Sequence, residues 1–114
     1  MITQMNKVAD TELYEVEFNL GHFSQQGRQM IVTGDFINWT LQPAPRASGF
    51  VATQGTSNTF SHKLPVGSYE YKYYDLLHAE WMEIDRYPDI YRGFYWDYVI
   101  NPYGTMNCIV HVRG

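Results

Sequence analysis

Leu64 to Trp81 reads LPVGSYEYKYYDLLHAEW. Leu-Pro-Val-Gly marks a tight turn, because Pro65 presets φ and Gly67 tolerates positive φ. The residues that follow alternate. Tyr69, Tyr71 and Tyr73 fall on one face of a strand, and Glu70, Lys72 and Tyr74 on the other. An aromatic row backed by a face that carries a lysine describes a half-buried strand of an antiparallel sheet. Asp75 to Ala79 makes a connection and Trp81 opens another strand, so Lys72 and Trp81 are predicted to share one outward surface.

Outward from that stretch the same period recurs. Leu13 to Phe18 alternates with one charged row. Met30 to Thr33 is short and continuously apolar, and Met106, Cys108, Val110 and Val112 alternate with Asn107, Ile109 and His111. Phe50–Thr53 and Phe60–Leu64 flank the turn-rich Gly55 to Asn58 and predict a hairpin. Residues 1–11 are polar and unpatterned, which predicts a flexible N-terminal tail. No capped 3.6-residue period runs far enough for a helix. About seven antiparallel strands separated by turn signals predict an all-β chain, a β-sandwich over residues 12–114.

Composition narrows the function classes. The chain has 114 residues, enough for one domain with its own core. A net charge of −4 argues against nucleic acid, which needs a basic footprint. No apolar run approaches the length of a membrane span. The single Cys108 permits no internal disulfide, and MITQMNKVAD lacks the apolar core of a secretory signal, so a cytoplasmic protein is expected. On that expectation the Asn38-Trp39-Thr40 glycosylation sequon is a coincidence.

Chemistry of the catalytic kind is thin. His22, His62, His78 and His111 are scattered, with no metal-ligand spacing. Asp85 and Asp89 have the look of a glycosidase pair, yet four residues apart on a loop they read better as solvated turn residues. No glycine-rich phosphate cradle is present. The expectation is a binding module, not an enzyme, with no cofactor.

Five short pieces bear on what is bound: Gly34-Asp35-Phe36-Ile37-Asn38-Trp39, Leu64-Pro65-Val66-Gly67, Tyr71-Lys72-Tyr73, Trp81, and Gly104-Thr105-Met106-Asn107. In this order they follow G-x-F-x-x-W, L-P-x-G, Y-K-F, a tryptophan and G-T-x-N. From about Tyr14 to Val112 the chain thereby resembles the glycogen-binding module of AMP-activated protein kinase β subunits and the related modules of branching and debranching enzymes. The resemblance implies an immunoglobulin-like (early-set) β-sandwich that binds α-glucan such as glycogen or a maltooligosaccharide. It implies a sugar site at Trp39, Lys72, Trp81, Tyr103, Thr105 and Asn107. The residue types suit the task. An indole offers a flat face for a sugar ring, Lys72 donates to hydroxyls, and Asn107 both donates and accepts. Tyr103 stands where the family often has an apolar residue. Singly, each position has an ordinary structural reading: a tryptophan of the sandwich core, a solvated strand lysine, an asparagine that satisfies loop backbone.

The chain departs from that pattern at about residues 85–97, DRYPDIYRGFYWD, which reads as an aromatic-rich insertion. Arg86, Tyr91, Arg92, Tyr95 and Trp96 are the residue types that dominate interface hot spots, so this segment is expected to dock a protein partner. A satellite core over the sheet and a lid over the sugar site are the alternatives. With neither a kinase-docking region nor a catalytic barrel in this stretch, the module is expected to act through a noncovalent partner. The alternative is the same fold used as an interaction subunit of a larger assembly, with weak or no sugar binding.

Overall fold

The computed structural model describes residues 1–21, 23, 27–41, 51–52, 59–93 and 96–113, those at 51–52 by their backbone alone. Among them the regular structure is almost wholly strand: β1 (Ile2–Lys7), β2 (Leu13–Asn19), β3 (Met30–Gly34), β4 (Val51–Ala52), β5 (Thr59–Pro65), β6 (Gly67–Asp75), β7 (Glu80–Met82), β8 (Asp97–Ile100) and β9 (Met106–Val112). Two 3-10 turns, Asp35–Ile37 and Pro88–Ile90, complete the regular structure. All pairings are antiparallel. One sheet has the order β1-β2-β5 and the other β4-β3-β6-β9-β8, with β7 also paired to β6.

Strand β6 organises the larger sheet, as its alternation predicts. Its Tyr71–Asp75 half pairs with β3, its Gly67–Tyr71 half with β9, and Tyr73–Asp75 with β7. Tyr71 and Tyr73 are wholly buried, and Tyr69 lies half-buried against the core. They meet the smaller sheet through Phe18, 4.9 Å from Tyr71 between ring centroids, and Phe60, 6.1 Å from Tyr73. The two sheets thus close face to face over one aromatic core. Burying the three tyrosine rings Tyr71, Tyr73 and Tyr91 pushes their hydroxyl pKa values well above the usual range, so all three stay neutral.

Three expectations change. Residues 1–11 are not a frayed tail: Ile2–Lys7 is an edge strand on β2, and Ile2 is buried in the core. Its only deeply buried apolar side chain is Ile2, so the segment carries no periodic signal; backbone pairing, which leaves no composition trace, holds it. Second, β4 and β5 do not form a hairpin. Val51–Ala52 pairs with β3, and β5 crosses to the other sheet beside β2; the turn expected at 55–58 lies outside the described residues. Third, the 85–97 segment is not wholly outside the fold, since Ile90 and Tyr91 are buried in the core.

Gly34 ends β3 where two backbones nearly touch. A Cβ there would collide with the Glu70 carbonyl and stand 2.9 Å from the Tyr71 Cα. That close approach lets the chain turn directly from the sheet into the Asp35–Ile37 turn that carries Trp39.

Candidate functional site

The outward face of β6 carries Ser68, Glu70, Lys72 and Tyr74, as the alternation requires. Register sets Trp81 opposite Tyr74, and the two rings meet edge to face at 4.8 Å. Trp39 arrives from the other side. Its indole stands 6.1 Å from that of Trp81 at an interplanar angle of 61°. The two tryptophans, 42 positions apart in sequence, form one aromatic corner, and Trp81 remains 37% exposed.

Trp39 is held there by a strained turn. Asn38 and Trp39 both adopt left-handed backbone, at φ 54° and 57°. A bulky residue in that region costs on the order of 1–3 kcal/mol and persists only where its surroundings enforce it. The Trp39 amide donates to the Gly34 carbonyl at 2.9 Å, and its indole N–H to Asp35 Oδ1 at 3.0 Å. Asp35 Oδ2 in turn accepts the Glu70 amide at 2.8 Å, which ties the turn to β6.

Beneath the corner lies a polar row. Lys72 is only 3% exposed. Its ammonium sits 5.8 Å from the centre of the Trp81 ring, forms an ion pair with Glu83 and donates to Thr105 Oγ1 at 3.2 Å. The row continues along the β8–β9 hairpin. Asn101 Nδ2 donates to Thr105 Oγ1 at 2.6 Å and to Asn107 Oδ1 at 3.0 Å, and Asn107 Nδ2 donates to Glu70 Oε1 at 3.0 Å. Asn101 Oδ1 also accepts the amides of Tyr103 and Thr105, which shapes the hairpin tip. Tyr103 stands on that tip, 91% exposed.

Trp39, Trp81, Lys72, Thr105 and Asn107 are therefore brought together on one sheet face, and Tyr103 lies on the hairpin that supplies two of them. Lys72 differs from expectation: it is a buried, paired cation, not a free strand lysine. Asp35, Glu70, Glu83 and Asn101 also belong to the cluster. Glu70 was legible as the neighbour of Lys72 on the alternating face; Glu83 reaches Lys72 only through the β6–β7 pairing, and Asn101 only through the hairpin, which period alone does not reveal.

The predicted docking residues separate. Tyr91 is buried, so it is not part of any docking surface. Tyr95 and Phe94 lie outside the described residues. Arg86 is exposed, lies 3.6 Å from Glu80 and covers the Tyr87 ring. Arg92 sits over Trp96 at 5.4 Å, and the half-buried Trp96 stacks on Tyr98 at 5.5 Å and 12°. No ring contact among the described residues joins this segment to Trp39 or Trp81.

Other groupings are structural in character. Ser68 Oγ lies 2.8 Å from His111 Nδ1, and His111 Nε2 3.0 Å from Asp97 Oδ2. The His111 bond, followed by that from the Tyr98 amide, holds the Asp97 carboxyl below the usual range. This serine–histidine–aspartate row lies on the open sheet surface, where water screens its charges; it is a surface hydrogen-bond network. Among the described residues no group of three or more His, Cys, Asp or Glu is placed to hold a metal ion, and no helix is long and apolar enough to cross a membrane. A shallow hollow lined by Gln4, Asn6, Lys7, Val8, Glu15 and Glu17 lies on the smaller sheet and offers no aromatic face.

No protein-family model matches the chain, and no curated protein matches it significantly.

Proposed function

We propose that the chain is a non-catalytic carbohydrate-binding module for α-glucan, an immunoglobulin-like early-set sandwich that resembles glycogen-binding modules and acts through a noncovalent protein partner in the cytoplasm. The observation that carries this reading is the Trp39–Trp81 corner, held by a strained turn on one side and by β7 on the other. Sugar rings present flat C–H faces and hydroxyl rims, and two angled indoles above a row of amide, hydroxyl and carboxylate groups suit the curve of an α-linked chain. Thr105 already accepts from Lys72 and Asn101, so its own O–H is left to donate. Glu70 has one oxygen engaged by Asn107 and the other available to accept.

An open face of this kind binds weakly, with a Kd of roughly micromolar to millimolar. Titration of maltoheptaose into the protein, followed by calorimetry and by tryptophan fluorescence, tests the reading. Trp39→Ala and Trp81→Ala are each expected to weaken binding by at least about tenfold, as loss of a central aromatic contact does. Undiminished binding in both folded variants removes the site, and a wild-type protein that does not bind removes the function.

A second reading, an interaction subunit, is favoured by the Arg92–Trp96–Tyr98 stack and the exposed Ile100 beside it on β8. In that reading Arg86, Arg92 and Trp96 contact the partner and sugar binding is weak or lost; the maltoheptaose titration separates the two.

A further inference from the structure

We propose that Glu83 makes this face selective for uncharged glucan, so that it refuses chains carrying phosphate or other anionic groups. The inference rests on the glucan reading above and concerns which glucans qualify.

A lysine in a sugar site ordinarily offers its positive charge to whatever enters. Here Lys72 does not. Its ammonium is buried, paired to Glu83 and bound to Thr105, with the Trp81 ring above it. Among the described residues the remaining charges at the corner are negative. Asp35 is bonded to the Trp39 indole itself, and Glu70 to Asn107. Among the described residues three carboxylates, Asp35, Glu70 and Glu83, thus face a single ammonium. On β7 the neighbouring Glu80 is offset by Arg86 at 3.6 Å, so among the described residues no spare cation is brought from that side. Thr105 and Asn107 are neutral.

Carboxylates accept hydrogen bonds from sugar hydroxyls, each of which carries a donor, so a neutral chain loses nothing here. A phosphate monoester brings about −1.5 to −2 charge. The two carboxylates that no described cation offsets, those of Asp35 and Glu70, then repel it. At a solvent-facing site the repulsion is expected to weaken binding by about tenfold or more at low salt. Glu83 is the residue that decides the balance. Without its charge Lys72 becomes an unpaired cation, and the corner moves one unit toward neutrality.

Maltoheptaose and maltoheptaose 6-phosphate titrated into the full chain provide the test. The expected result is at least about tenfold tighter binding of the neutral chain at about 0.02 M salt, with the ratio shrinking toward unity at about 0.5 M as the repulsion is screened. Glu83→Gln is expected to narrow the low-salt ratio to about threefold. Should Glu83→Gln fold poorly because it strands Lys72, Glu70→Gln removes a charge from the same face without touching the ion pair and is expected to narrow the ratio similarly. Equal or tighter binding of the phosphorylated chain overturns the selectivity while leaving the glucan site standing. A preference unaffected by salt and by both variants overturns the electrostatic cause. Failure of both ligands to bind overturns the glucan reading and this inference with it.

Discussion

The hydroxyl of Tyr91 accepts the amide of Tyr73 at 2.9 Å and donates to the carbonyl of Met82. Register places Tyr73 opposite Met82 in the β6–β7 pair. A side chain from the 85–97 segment therefore completes hydrogen bonding inside the sheet, and its ring packs 5.1 Å from that of Tyr73. This segment is thus partly a structural strut for the strand that carries Trp81.

Tyr91→Phe is expected to cost about 1–3 kcal/mol, because the buried Tyr73 amide and Met82 carbonyl both lose their partner while the packing volume is kept. Tyr91→Ala should cost about 3–5 kcal/mol. Urea unfolding measures both. A Phe variant as stable as the wild type would show that the hydroxyl bridge contributes nothing.

Gly34→Ala is expected to destabilise by roughly 1–3 kcal/mol, since its Cβ meets backbone, which cannot swing away as a side chain can. The same displacement should shift the Asp35–Trp39 turn and weaken maltoheptaose binding. Thermal unfolding and calorimetry read the two effects, and a Gly34→Ala protein with wild-type stability would contradict the close approach.

Much of this was legible from alternation. Tyr71, Tyr73, Cys108, Val110 and Val112 face the core as their spacing predicts, and Lys72 shares its face with Trp81. What the sequence concealed lies in partner choice across the fold. Val51–Ala52 joins β3 and not its sequence neighbour β5, a choice made by sheet packing and not by local pattern. Polar β1 is held by backbone pairing, which any side chain permits. Tyr91 and Trp96 have the same composition signal, yet one is core and the other half-exposed, because hot-spot types and core types coincide. In the candidate site the tryptophans were legible as residues, but their 6.1 Å approach and the Glu83 pairing arise only from tertiary structure.

Stability is expected to fall on mild acidification through His62. Burial among Phe18 and Phe36, whose rings lie 6.2 and 4.5 Å away, lowers its pKa from 6.5 to about 4. Between those values the unfolded chain binds a proton that the folded chain excludes, so stability rises with pH. The contribution is complete above pH 6.5 and lost progressively toward pH 4. Allowing for partial exposure, about 1–2 kcal/mol should disappear between about pH 7.5 and 4.5. His62→Phe should flatten this slope in urea titrations at each pH; an unchanged slope would mean that His62 is not its source.

The Lys72–Glu83 pair decides whether the sugar face rests on a buried ion pair or on two solvated side chains. Breaking a fully buried pair costs about 3–5 kcal/mol, because the surviving charge is stranded. Here the two partners are unequal: the Lys72 side chain is 4% exposed and that of Glu83 24%. Lys72→Met strands the better-solvated partner and should cost about 1–3 kcal/mol, whereas Glu83→Gln strands the buried ammonium and should cost about 3 kcal/mol or more. Replacing both leaves no charge behind, so the double variant should recover most of the loss and give a coupling energy above about 1 kcal/mol. Urea unfolding of the four proteins completes the cycle. Single costs below about 0.5 kcal/mol, adding without coupling, are what solvated surface residues give and would refute the buried pair.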